Sequence, residues 1–122
     1  MDNKEFGKQL EKRTKDFALE VIRLSSSLPN NTESKVIRNQ VTKSGTSVGA
    51  NYREANRSRS KADFTNKIKI CVSEASETVY WLEIISDLKW TDNMKLEQIT
   101  SEAKELLAIF TSIWTTLKLK SL

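Results

Sequence analysis

Histidine is absent from this sequence, cysteine and proline occur once each, and there are only three glycines. Without histidine there can be no Cys2His2 zinc finger and no histidine-based triad. The Glu-x-x-His pattern of di-iron carboxylate bundles is excluded for the same reason. A single cysteine, Cys71, cannot form a disulfide framework, and it fits a reducing compartment. So little glycine and proline leaves few residues for tight turns, which argues for a few long elements rather than many short strands. The amino terminus, MDNKEFGKQL, lacks the apolar stretch of a secretory leader. No apolar run approaches the roughly 18 residues a membrane span requires. The expected compartment is the cytoplasm, with no membrane partner. A length of 122 residues suits one domain, 1–122.

Leucine, isoleucine, lysine and glutamate recur along the chain in helical periods. The first helix is expected from about Asn3 to Ser27, with Leu10, Phe17, Val21, Leu24 and Leu28 forming its buried stripe. It ends at Pro29-Asn30-Asn31, because proline cannot continue a helix. Thr32 is the expected N-cap of a second helix, followed by Glu33. That helix has a stripe of Ile37, Val41, Ser44, Val48, Tyr52 and Ala55, small in its middle. Gly45 and Gly49, four apart, read as a close helix–helix approach. Ser60 with Asp63 resembles a capping box and opens a third helix carrying Phe64, Ile68, Cys71, Ala75, Val79, Leu82 and Ile85. Thr91 or Asp92 caps a fourth, with Leu96, Ile99, Ala103, Leu106, Phe110, Ile113 and Leu117. Short connections force antiparallel neighbours. The expected fold is therefore all-α, an up-down-up-down antiparallel four-helix bundle.

Charge is distributed unevenly along the chain. Residues 1–34 carry six basic and six acidic side chains, residues 35–69 nine and two, and residues 70–122 five and eight. Alternating helix direction collects Lys4, Lys8, Arg53, Arg57, Arg59, Lys61, Lys118 and Lys120 at one end of the bundle. Asp2, Glu5, Glu54 and Asp63 oppose them. Such an end is a candidate phosphate-binding surface, and a solvated charged face is its plainer explanation.

On the third helix Ile70, Trp81, Ile84 and Leu88 lie outside the core stripe, as do Leu107 and Trp114 on the fourth. Either the chain self-associates through Trp81, Ile84 and Leu88, or a wide core absorbs both tryptophans. Cys71 has no histidine to activate it and reads as a small core residue. Glu74 and Glu77 are a carboxylate pair at ordinary helix-edge spacing. The segment Lys43-Ser44-Gly45-Thr46-Ser47-Val48-Gly49 has the composition of a phosphate loop but the wrong order, since a Walker lysine follows its second glycine. The sequence therefore carries no enzyme site, metal set or cofactor motif.

The run Ser44-Gly45-Thr46-Ser47-Val48-Gly49-Ala50-Asn51-Tyr52-Arg53-Glu54-Ala55-Asn56-Arg57 is more specific than any of these patterns. With Ser60-Lys61-Ala62-Asp63-Phe64, Lys67-Ile68 and Glu74-Ala75-Ser76-Glu77-Thr78-Val79-Tyr80-Trp81-Leu82-Glu83, it resembles the bacterial four helix bundle protein family. That family is also labelled after proteins encoded within intervening sequences of large-subunit ribosomal RNA genes. The resemblance spans about residues 42–88. It implies a four-helix bundle and assembly into ring-like homopentamers. It also implies similarity to the accessory protein of diversity-generating retroelements, a basic pentamer that partners a reverse transcriptase and nucleic acid. Some relatives have glycine in place of Ala55 and isoleucine in place of Tyr52.

Together these features predict a non-enzymatic homo-oligomer without cofactor that binds nucleic acid, RNA in particular, through Arg53, Arg57, Arg59 and Lys61 with low sequence specificity. Asn51 and Glu54 are candidates for a polar contact there or for a bond fixing helix register, with Asn51 expected opposite Phe64. A different reading is an adaptor whose partner is a protein encoded beside it, without nucleic-acid contact. A carboxylate enzyme is the third.

Overall fold

The computed structural model describes residues 2–120, and among these it contains four α-helices. They are α1 (Asn3–Ser26), α2 (Thr32–Ala55), α3 (Lys61–Leu88) and α4 (Asn93–Lys120). At 1.5 Å per residue the longer pair reaches about 42 Å. Each start is set by a side chain that takes up an otherwise unbonded amide. Asp2 accepts from the Glu5 amide at 2.8 Å, Ser60 from Asp63 at 3.1 Å and Asp92 from Met94 at 2.8 Å. The second helix departs from the sequence expectation. Asn31, in extended conformation, accepts from the Ser34 amide at 2.8 Å, and Thr32 is already helical.

The helices pack in chain order around one core, α1 on α2, α2 on α3, α3 on α4, while α4 meets α1 only sparsely. The architecture is the expected up-down-up-down bundle. The core buries every stripe residue assigned to α1, and Val41, Ser44, Val48, Tyr52 and Ala55 of α2. Ile37, Phe64, Ile113 and Leu117 pack against it partly covered. Thr14 and Thr78 are also fully buried, and their hydroxyls return to their own helices, bonding the carbonyls of Leu10 and Glu74.

Small residues make α2 the closely packed member. A β-carbon at Gly49 would fall 3.1 Å from Oγ1 of Thr14 on α1. On its other side the Ser44 and Thr78 hydroxyls lie 2.9 Å apart, and Cys71 Sγ lies 3.5 Å from the Val48 carbonyl. The close approach read from Gly45 and Gly49 is thus between α1 and α2. By contrast, α1 and α4 leave a cleft of about 600 Å³ floored by Phe17 and Ile99. It is bridged by a bidentate ion pair in which Arg13 donates to both oxygens of Glu102 at 2.7 Å.

Candidate nucleic-acid interface

The start of α1, the α2–α3 connection and the end of α4 meet at one end of the bundle. The connection is a tight turn because the amides of Arg57 and Ser58 fold back onto the carbonyls of Glu54 and Ala55, at 3.0 Å each. Arg57 and Arg59 lie in it, and Lys61 opens α3 directly after it. All three are exposed, and none has an ion-pair partner among the described residues. Asp63, the nearest acid in sequence, occupies the first turn of α3, where the helix dipole favours it.

Arg53 differs from these three. Its Nε lies 3.5 Å from Glu11 Oε1, while Glu11 Oε2 accepts from the side-chain amide of Asn56 at 2.9 Å. Part of its charge is therefore answered inside the chain. Glu54 faces Lys67 at 3.6 Å, so it links α2 to α3 rather than standing alone. Asn51 donates to the carbonyl of Ser47 at 2.8 Å, a bond within its own helix. The register fixed by Ser44–Thr78, Val48–Cys71 and Glu54–Lys67 places Asn51 near Ile70, not Phe64. The expected pairing was displaced by more than one helical turn, because stripe spacing sets which face is buried but not the sliding of one helix along another.

The apolar surplus is smaller than the sequence implied. Trp81, Leu107 and Trp114 are partly covered by the core, and the Trp81 indole donates to Glu77 at 3.2 Å. Ile84 is half-buried, whereas Leu88 is 50% exposed and Tyr80 57%. Tyr80 and Trp81 meet edge to face, their ring centres 5.0 Å apart. The wide-core alternative therefore accounts for part of both tryptophans.

Two titratable groups on α3 have shifted affinities for protons. Burial pushes the Cys71 thiol up to about 12, helped by the charge of Glu74, which leaves it protonated and unreactive. Burial also raises Glu74 above the ordinary glutamate value. Repulsion from Glu77 adds to the shift, while Lys43 and a bond to Ser47 oppose it. Among the described residues no cluster of carboxylates and thiols is arranged to hold a metal ion. The buried Thr78 was overlooked in the sequence because it is polar, although its place between Ala75 and Leu82 continues the core period. Cross-helix pairs such as Glu11–Arg53 leave no sequence signal.

Residues 8–112 match the 23S rRNA-intervening sequence protein family. No curated protein matches the chain. A similar solved structure is that of a protein of unknown function from the S23 ribosomal protein family of Bacteroides thetaiotaomicron. It is 36% identical, with a TM-score of 0.78, and the match covers 85% of this chain and 96% of that one.

Proposed function

The chain belongs to the 23S rRNA-intervening sequence protein family, and we propose that it is a non-enzymatic, self-associating helical bundle whose basic end holds RNA by its phosphates. One observation carries this reading. Arg57 and Arg59 share one short connection and Lys61 follows it as the first residue of α3, all exposed and without ion-pair partners among the described residues, while the neighbouring Arg53 and Lys67 are each paired with a glutamate. Contacts of this kind act through counterion release and read no base, hence the low sequence specificity. Assembly, as a pentamer by family likeness, would repeat the end and let weak contacts sum. The reading needs no cofactor and places the protein in the cytoplasm. No described helix is long and apolar enough to cross a membrane.

The test is an anisotropy titration of labelled single-stranded RNA against salt. Affinity should fall with a log–log slope of about −0.7 per phosphate neutralised. Arg57→Ala with Arg59→Ala should weaken binding to unrelated sequences alike and flatten that slope. No binding by the wild type at about 50 mM salt, where such contacts are strong, would sink the reading. The adaptor reading is favoured by one other observation, the exposed apolar side chains Val36, Tyr80 and Leu88. Retention of a protein partner by a chain that binds no RNA would replace the first reading with the second.

A further inference from the structure

Away from the α2–α3 connection, two rows of side chains flank the seam between α1 and α2. On α1 they are Lys4, Lys8, Glu11 and Lys15, at steps of four, three and four, which align them on one helix face. On α2 and in the turn that follows it the same steps recur at Thr46, Ala50, Arg53 and, past the helix end, Arg57. The Glu11–Arg53 ion pair sets the rows against each other. Between them runs a shallow groove of about 390 Å³, lined by the charged Glu11, Lys15, Arg53 and Glu54 and by the small Ala18, Thr46, Gly49 and Ala50. Its floor is low because the latter are small and because Gly49 lies directly against Thr14 on α1. The floor between the rims is thus built of small residues, and the Glu11–Arg53 ion pair crosses the seam from one rim to the other.

In the groove's own lining Lys15 and Arg53 balance Glu11 and Glu54, and the surplus of the seam lies in Lys4, Lys8 and Arg57 beside it. The rows hold five cations, Lys4, Lys8, Lys15, Arg53 and Arg57, and a single carboxylate, Glu11. Glu11 is already engaged by Arg53 and Asn56, and Glu54, at the groove's edge, faces Lys67. Lys4, Lys8, Lys15 and Arg57 have no ion-pair partner among the described residues. The seam reaches the basic end through Arg57, so the two surfaces are continuous.

We propose that the α1–α2 groove is a track for a single nucleic-acid strand, which leaves the basic end at Arg57 and lays its phosphates along Lys8 and Lys15. This rests on the nucleic-acid reading above and extends it to a second surface and to one class of ligand. The class follows from width. Packed helices lie about 8–10 Å apart, so the groove is one helix spacing wide. That admits one phosphodiester chain along the floor, whereas a duplex would rest on the rims and reach fewer of the cations. Small residues beneath leave room for the backbone, and charged rims without base-reading groups match sequence-tolerant strand binding.

The experiment titrates a labelled uridine homopolymer and an RNA duplex of the same length into the full chain at several salt concentrations. It compares the wild type, Lys8→Ala/Lys15→Ala, and a charge control, Lys69→Ala/Lys104→Ala, whose lysines lie on α3 and α4. The track predicts tighter binding of the single strand than of the duplex. It also predicts that Lys8→Ala/Lys15→Ala flattens the log–log salt slope by about 1.4, two contacts at about 0.7 each. The control should keep the wild-type slope. All four positions are exposed, and circular dichroism should show unchanged helix content in both variants. Should the wild type bind while both double variants behave alike, total charge explains binding and the track is overturned, with the basic end left standing. Equal affinity for strand and duplex also overturns it. No binding by the wild type removes the nucleic-acid reading itself.

Discussion

A β-carbon placed on Gly45 would fall 2.8 Å from Cγ1 of Val21 and 3.0 Å from its Cγ2. At that point α2 rests its backbone on a fully buried, β-branched side chain that has little rotamer freedom to move aside. Gly45→Ala gains up to about 1 kcal/mol of helix propensity, but the overlap opposes it. Gly45→Leu should lower stability by about 1–3 kcal/mol through overpacking. Chemical denaturation measures both. A Gly45→Leu midpoint equal to the wild type would mean that α1 and α2 do not touch there.

Ser34 offers the opposite sign. Its side chain is fully buried, and its hydroxyl has no hydrogen-bond partner among the described residues. An unpaired buried hydroxyl costs about 1–3 kcal/mol of desolvation. Ser34→Ala keeps the amide that Asn31 caps and removes the hydroxyl, so it should raise the unfolding midpoint. A lowered midpoint would show that the hydroxyl is bonded in solution.

Cys71 should resist modification while the chain is folded. Its thiol is fully buried, lies 3.5 Å from the Val48 carbonyl and is pushed up to about 12 by burial. A thiol reagent at pH 8 should label it at the rate of unfolding, rising with denaturant. Rapid labelling of native protein would contradict the packing of α3 on α2.

Gly45 and Cys71 show what the sequence made legible, whereas the burial of Ser34 came only with the fold. The stripes through Val21 and Cys71, and the close approach at Gly45, follow from helical period and residue size, which act locally. The Ser60 cap was equally legible, being local in the chain. Choosing Thr32 over Asn31 failed because either side chain can cap, and only backbone geometry decides between them. The misplaced Asn51 and the partly covered Trp81 and Trp114 have a different origin. They depend on axial sliding and on how far apart helices stand, which no periodicity encodes. The Arg13–Glu102 bridge joins residues far apart in sequence, so α1's separation from α4 was invisible until the fold was known. At the candidate site the basic connection was legible from charge, but the pairing of Arg53 with Glu11 was not.

Glu74 gives a pH dependence with a definite sign. Burial, then repulsion from Glu77, raises it above the ordinary 4.5, against the pull of Lys43 and Ser47. The folded chain therefore holds this proton more tightly than the unfolded chain. Ionised Glu74 weakens the fold at neutral pH, and that penalty disappears as pH falls through its raised folded value towards 4.5. Glu74→Gln should stabilise the protein at pH 7, and the gain should shrink towards pH 4. A gain independent of pH would assign the effect to packing instead.

Self-association is testable at Leu88, the last residue of α3. Leu88 is 50% exposed, and the register set by Ser44 and Thr78 brings Val36 of α2, itself 55% exposed, to the same end of the bundle. Tyr80 and the half-buried Ile84 extend this face along α3. Apolar groups gathered in this way favour a partner surface, and covering them with a second copy removes them from water. Light scattering at micromolar concentration should then give a mass several times the 13.9 kDa of one chain. Leu88→Lys places a charge inside the contact without entering the core, so helix content should persist while the mass falls. A wild-type mass of one chain would remove the self-association proposal. An assembled Leu88→Lys variant would keep assembly but move the contact away from this face.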